Sequence, residues 1–259
     1  MSSPAPNPPA NPTAAILIIG NEILSGRTQD VNINFIAKRL AILGIVLSEV
    51  RVVPDIPHRI IDAVNTLRAS YDQVFTTGGI GPTHDDITSE CIAEAFGVPW
   101  EIHPETYAAM EKHIGKENFN AARQRMATLP RGAEPIRNSA SLAPGFSIGN
   151  VHVMAGVPRI MQAMMSALED ILPRGTPIAM RAVYGIGVLE GAIAEGLTVI
   201  QSKYPQLDLG SYPFMHERAT SGVAIVAKGT DLPAIEQAIT EATVLISSLG
   251  IEPVQGEPP

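Results

Sequence analysis

The run AAILIIG, residues Ala14 to Gly20, is an unbroken apolar stretch closed by glycine. A half-exposed strand would alternate apolar with polar residues. An unbroken run of this length reads instead as a strand covered on both faces, and such strands belong to parallel sheets held between helices. The residues downstream follow that pattern. Ile33, Ile36, Ala37, Leu40 and Ala41 recur at helical spacing before Gly44, a helix stop. IVLSEVRVVP reads as a second strand ended by Pro54, Pro57 opens a helix carrying Ile60, Val64 and Leu67, and QVFTTGG reads as a third strand. Strands alternating with helices predict a parallel sheet joined by right-handed crossovers.

Helical patterns come next: ITSECIAEAF up to Gly97, PETYAAMEKHI opened by Pro104, and NFNAARQRMATL stopping before Pro130. A stretch rich in proline and glycine, PRGAEPIRNSASLAPGF, leads to strand-like NVHVMAG and a helix with Ile160, Met161, Met164, Met165, Leu168 and Ile171. Helical spacing and the absence of His or Cys partners mark these methionines as core filler. LPRGTP, Leu172 to Pro177, reads as a linker, followed by strand (IAMRAVYG), helix (Val188 to Lys203), strand (LDLGSYPF), strand (SGVAIVAKG) and helix (Leu232 to Leu249). The expected layout is a disordered tail over 1–13, an α/β domain over 14–172, and a small α+β domain over 173–259.

The chain has 259 residues, 45% of them hydrophobic and 17% charged, which suits a globular protein with a substantial core. Its net charge of −8 argues against a broad nucleic-acid footprint. The opening MSSPAPNPPANPTA has neither the basic nor the apolar segment of a secretory signal, and no apolar run reaches the length of a membrane span. A cytoplasmic protein is expected. The single cysteine, Cys91, excludes an intramolecular disulfide or a cysteine metal cluster and reads as a small buried hydrophobe. His103, His113 and His152 lack metal-ligand spacing.

Ligands of doubly wound sheets sit beyond the carboxyl ends of the strands. Three such ends carry glycine loops here: GNEILSG, TTGGIGPTHDD and AGVPR. In the second, Gly78, Gly79 and Gly81 allow close backbone approach, successive N–H groups form an anion-binding concavity, and a helix N-terminus lies just behind. Thr76, Thr77 and Thr83 offer hydroxyl donors. The outline is a phosphate cradle without the lysine of a P-loop. Thr83-x-x-Asp86 also matches a capping box. One aspartate suffices for a cap, and two beside a phosphate repel it unless a divalent cation intervenes. Mg²⁺ takes one or two carboxylates plus phosphate oxygens. We therefore expect one of Asp85 and Asp86 to cap and the other to face ligand or metal, with either order open. Glu22 reads equally as an ordinary first-turn glutamate and as a metal or ribose-hydroxyl partner. His84 reads as solvated.

TTGGIGPTHDDIT resembles the signature of the molybdenum-cofactor-biosynthesis-type, or molybdopterin-binding, domain. The likeness is to that domain in competence/damage-inducible protein A and at the N-terminus of eukaryotic FAD synthases. GNEILSGRTQDVNINFIAKRLAILGI, LPRGAEPIRNSASLAPGF and MAGVPRIMQAM match in the same order. The resemblance covers about Ala14 to Leu172, and VYGIG and GSYPF extend it to the small domain that follows. It implies a three-layer α/β/α sandwich with a mostly parallel sheet, a nucleotide or pterin phosphate as small-molecule ligand, a divalent metal such as Mg²⁺, and self-association. The activities it implies are hydrolysis of the pyrophosphate of ADP-ribose or FAD, and molybdopterin adenylylation in single-domain relatives. A non-catalytic binding module is the alternative. Carried over, Gly78, Gly79, Gly81, Thr83 and Asp85 or Asp86 fall on the matching loop, Gly20, Asn21 and Glu22 on the first, and Gly156 and Pro158 on the third. Asp85, Asp86 and Glu22 are the candidate catalytic carboxylates. The chain departs from the family at Val188-Leu189, where Glu-Ser is usual and Glu190 is displaced, and offers His216 and Arg218 nearby. The resemblance does not extend to the deamidase domain that often follows in full-length members, so deamidase activity is not expected.

Overall fold

The computed structural model describes residues 10–216 and 220–258. In chain order its elements are β1 (Thr13–Ile19), α1 (Asn21–Leu24), α2 (Asn32–Leu43), β2 (Val46–Val53), α3 (Pro57–Ser70), β3 (Gln73–Thr77), α4 (Thr88–Phe96), β4 (Trp100–Ile102), α5 (Pro104–Ile114), α6 (Ala121–Arg125), β5 (Thr128–Pro130), β6 (Glu134–Ile136), β7 (Gly145–Ile148), β8 (Val151–Met154) and α7 (Pro158–Leu168). Then come β9 (Ala179–Ile186), α8 (Glu190–Lys203), β10 (Asp208–His216), β11 (Thr220–Gly229), α9 (Leu232–Ser248) and β12 (Pro253–Gln255). They divide into two compact units, and the division falls between Gly175 and Thr176, inside LPRGTP.

In the first unit the main sheet runs β2-β1-β3-β8-β7-β6. β2, β1, β3 and β8 are parallel, and β7 and β6 add antiparallel strands at one edge. β1 explains why AAILIIG is unbroken. Its side chains alternate between two buried faces: Ala14, Ile16 and Ile18 pack with Ile36 and Leu40 of α2 and the methionines of α7, while Ala15, Leu17 and Ile19 pack with Ile60, Val64 and Leu67 of α3 and Ile92 of α4. Each fully buried Leu or Ile contributes about 2 kcal/mol by area, so neither layer is dispensable. This is the expected three-layer α/β/α sandwich. Met161, Met164 and Met165 are core, and burial pushes the Cys91 thiol up to about 11, away from thiolate reactivity.

Three stretches differ from the sequence reading. NFNAARQRMATL was expected to be one helix, but only Ala121–Arg125 is helical, and Asn120 Oδ1 caps it by accepting from the Arg123 N–H. Thr128–Pro130 instead pairs with Trp100–Ile102, and Leu129 enters the main core, so tertiary packing overrides the local helical pattern. The Pro/Gly-rich stretch supplies β6 and β7. β1 begins at Thr13, inside the expected tail, because Asp72 Oδ2 accepts from both its N–H and its hydroxyl at 2.8 Å. Residues 1–9 of that tail lie outside the described residues.

The second unit has a four-stranded antiparallel sheet, β10-β11-β9-β12, whose Val183, Val223 and Ile225 pack with Ile193 and Ile200 of α8 and Ile235, Ile239 and Ile246 of α9. This is the expected smaller α+β arrangement, with β12 as an unforeseen edge strand. Glu190 opens α8 and accepts from the Ser211 hydroxyl at 2.8 Å. His216 ends β10, and its side chain, like the whole of Arg218, lies outside the described residues. Among the described residues no helix is long and apolar enough to cross a membrane.

His152 on β8 is buried and stacks on Phe75, with ring nitrogens 2.8 Å from Ser147 Oγ and Gln73 Oε1. Burial lowers its pKa from 6.5 to about 4. The unfolded chain therefore binds a proton in this window that the folded chain refuses. Stability should be intact above pH 6.5 and fall as the pH drops toward 4, by up to about 3 kcal/mol from this residue. Urea midpoints at pH 7 and 4.5 measure the effect, and His152→Gln should show a visibly shallower decline.

Candidate functional site

The carboxyl ends of β1, β3 and β8 place the three glycine loops side by side. Gly20 closes β1, with its N–H donating to the Val53 carbonyl. α1 follows at once, and the Asn21 N–H donates to Asp55 Oδ2 at 2.8 Å, which fixes the first loop to the end of β2. The Glu22 carboxylate folds back over Gly20 so closely that a Cβ there would lie 2.5 Å from Oε1.

The second loop is locked by contacts that tolerate only glycine. Gly78 has φ 106°, and a Cβ on it would lie 2.1 Å from the Ile19 carbonyl oxygen. Gly79 has φ 68°, and a Cβ there would lie 2.1 Å from Thr88 Oγ1. Thr88 is the first residue of α4. Its hydroxyl donates to the Gly78 carbonyl and its N–H to the Gly79 carbonyl, both at 3.0 Å. The third loop leans on the second: a Cβ on Gly156 would lie 3.4 Å from Gly78 Cα. Asn32 Nδ2, buried at the start of α2, donates to the Gly156 carbonyl at 2.9 Å, and its Oδ1 has no partner among the described residues.

Together the loops wall a cleft of about 540 Å³. Gly78, Gly79, Ile80, Gly81 and Asp86 come from the second loop, Glu22 and Thr28 from the first, and Gly156, Val157 and Pro158 from the third. Met126, Ile160 and Met164 supply apolar wall. A side pocket of about 70 Å³ opens between Glu22, Asp30, Asn32 and Thr77. Gly20 and Asn21 support the first loop without lining the cleft, and Thr76 is buried within β3 away from it.

The two aspartates share the Thr83 hydroxyl but differ in exposure to the cleft. Asp86 lines the cleft, and its Oδ2 accepts from the Thr83 N–H at 2.8 Å and from the Thr83 hydroxyl at 2.5 Å. Gly81 makes room for it, since a Cβ there would lie 2.6 Å from Oδ2. Asp85 is not among the residues that line the cleft and is largely exposed, with the same Thr83 Oγ1 2.6 Å from its Oδ1 and His84 4.0 Å away. The Thr83 hydrogen bond, more than His84, holds the Asp85 carboxyl below the usual range. Neither residue caps α4. That helix starts at Thr88 behind Ile87, which makes no side-chain cap, so the Thr83–Asp86 bond closes a turn ahead of the helix. The Thr83 hydroxyl serves the aspartates.

Among the described residues, Glu22 and Asp86 are the only charged ones on the cleft wall. The nearest cation by shared walls is Arg125, in a crevice that also includes Gly81 and Asp86. Its guanidinium lies 4.9 Å over the Trp100 ring and 3.7 Å from Glu90, and its buried Nε has no partner among the described residues. Among the described residues no three His, Cys, Asp or Glu side chains form a preformed metal cage. A metal here would depend on ligand phosphate and water to complete its shell.

Sequence reasoning missed Asp30, Asn32, Asp55, Thr88 and Arg125. Only Asp30 carried a local signal, an aspartate ahead of a helical run, where its Oδ1 accepts from the Ile33 N–H at 2.8 Å.

The fold and cleft define an α/β domain of the doubly wound type, followed along the chain by a small α+β unit. The chain belongs to the family described as probable molybdopterin binding domain, matched over residues 15–174, and residues 178–254 match the FAD synthase middle domain. A protein of Aeropyrum pernix is 31% identical over 95% of this chain and 96% of its own length. A probable FAD synthase of Caenorhabditis elegans is 32% identical over 80% of this chain, which spans 45% of that longer protein. The crystal structure of CinA from Thermoplasma acidophilum, a protein of unknown function, matches with a TM-score of 0.59 at 34% identity, covering 63% of this chain and 99% of that one.

Proposed function

We propose that the cleft binds the phosphates of a nucleotide or pterin, and that it hydrolyses the pyrophosphate of an ADP-ribose- or FAD-like molecule with a divalent metal such as Mg²⁺. The observation that carries this reading is the placement of Asp86 and Glu22 on two of the three glycine loops that wall one cleft. Among the described residues, a phosphate there meets two carboxylates and no lining cation. Like charges about 4 Å apart repel by roughly 4 kcal/mol in partly screened surroundings, so a cation must stand between them. Thr83 engages only Oδ2 of Asp86, which leaves Oδ1 for that cation. Glu22 is its natural second carboxylate.

The chain's own residues do the positioning. Backbone N–H groups of Gly79 to Gly81 orient phosphate oxygens, Asp86 and Glu22 would hold the cation, and Met126, Ile160 and Met164 keep bulk solvent from the far wall. When bound, the metal would neutralise charge on the phosphate oxygens and acidify water. The reaction is ADP-ribose plus water to AMP plus ribose 5-phosphate, or FAD plus water to FMN plus AMP. The protein is read as a self-associating cytoplasmic one.

Purified protein with Mg²⁺, Mn²⁺ or Co²⁺ and either substrate should release AMP. Silence with every metal from a folded sample would reduce the site to a phosphate-binding module. That second reading draws on the absence of a preformed metal cage among the described residues.

A further inference from the structure

We propose that the helix-free face of the second unit's sheet packs against the same face of a second copy of this chain. The proposal rests on the self-association proposed above and assigns the surface that carries it.

The chain order β9-α8-β10-β11-α9-β12, with the strands arranged β10-β11-β9-β12, is the split βαβ arrangement of ferredoxin-like domains. Both helices lie on one side, where Val183 of β9 and Val223 and Ile225 of β11 pack against them. Successive strand residues point to opposite faces. Met180, Tyr184 and Ile186 of β9 therefore share the other face with Tyr212 and Phe214 of β10, and Val254 of β12, in register with Tyr184, joins them.

A sheet face turned to water normally carries polar side chains. Here Met180, Ile186, Tyr212 and Val254 are 49, 51, 56 and 40% exposed. The rings among them are held in place. Tyr212 lies against Gly210, where an added Cβ would come 2.8 Å from the ring. Phe214 lies against Gly222, where a Cβ would come 2.9 Å from Cζ, and Tyr184 meets Phe214 edge-on at 5.5 Å between centroids. A partner docks on side chains that are already ordered, so little rotamer entropy is lost.

Area and charge select the partner. The six side chains expose roughly 500 Å² together, towards the upper end of the largest patch on an ordinary monomer. Two such faces joined remove roughly 1,000 Å² from water, the lower bound of a specific interface. A twofold axis sets one patch against its copy, so one surface serves both sides. The chain's net charge of −8 makes most of its surface repel a second copy. The charges on this face, among the described residues, are Lys228 and Asp208, opposite in sign and opposite each other in register. The face is thus neutral where two copies meet, and its one balanced lysine gives a nucleic-acid backbone no foothold.

Sedimentation equilibrium of the full chain tests the proposal. The wild-type mass should rise toward that of two chains, with a dissociation constant of about 1–100 μM. Ile186→Glu and Tyr212→Glu each set a charge between the joined faces and should raise that constant at least about tenfold. Val244→Glu puts the same charge on an exposed apolar position of α9 and should leave the constant within about twofold. Thermal melts report folding, and two variants from different strands keep the test standing if one fails to fold. Association that survives both face variants, or that Val244→Glu weakens equally, overturns the sheet face while self-association stands. A wild-type chain that stays monomeric at about 1 mM removes self-association itself, and this surface with it.

Discussion

Gly78→Ala should destabilise the first unit by on the order of 3 kcal/mol or more. Two costs combine at this position. The backbone sits at φ 106°, which side chains rarely adopt, and the added Cβ would lie 2.1 Å from the carbonyl oxygen of Ile19. That oxygen belongs to the last residue of β1 and cannot swing aside like a side chain. The Gly78 N–H also donates to the Met154 carbonyl at 3.1 Å, so the loop is held from the β8 side as well. Gly26 provides the control. It too has positive φ, 72°, but nothing lies within 4 Å of a Cβ built there. Gly26→Ala should therefore cost only about 1 kcal/mol of backbone strain. Urea denaturation of the two variants measures the difference, and equal midpoints would mean that the Gly78 loop yields.

Asp86→Asn and Asp85→Asn should separate just as sharply, although the residues are adjacent. Asparagine at 86 keeps an oxygen for the Thr83 N–H and so keeps the turn. It removes the charge that faces the cleft. If the site turns over a pyrophosphate, Asp86→Asn should lower kcat by about 100-fold or more. Asp85 is largely exposed and does not line the cleft, and its loss should change kcat by less than about threefold, within the small effects expected of surface substitutions. If the site only binds, Asp86→Asn should hold or raise affinity for methylenediphosphonate, because a repelling charge has gone. Steady-state rates and calorimetry on the same three proteins decide between the two. Equal rate losses in both variants would show that Asp85 also acts in the working site.

The architecture was legible wherever burial wrote itself into composition. Ala14 to Ile19 is apolar at every position because both of its faces are covered. The three loops were legible because glycine follows each strand end. β6 and β7 were not, because proline and glycine in PRGAEPIRNSASLAPGF signal loop and their pairing is set by the edge of β8. The strand Thr128–Pro130 was hidden for a related reason: its partner, Trp100–Ile102, lies far back in the chain. At the site, residues within the glycine motifs could be read, while those reaching it from elsewhere could not. Asp55 acts through the Asn21 N–H, Asn32 through the Gly156 carbonyl, and Arg125 through a shared crevice wall. Each is an ordinary polar residue in its local context. The division of labour between Asp85 and Asp86 also depends on the turn closed by Thr83, which no spacing rule distinguishes from a helix cap.

Thr88 has a consequence for how a ligand is received. With one side chain and one amide it clamps two consecutive loop carbonyls, those of Gly78 and Gly79, to the first turn of α4. The amides that would meet a phosphate are thereby ordered when the chain folds, and no entropy of loop closure is subtracted from binding. A guest then has only its own freedom and its water to give up. Selectivity in such a receptor comes from which guests match a fixed shape, and little of it from how far the loop can bend to meet them.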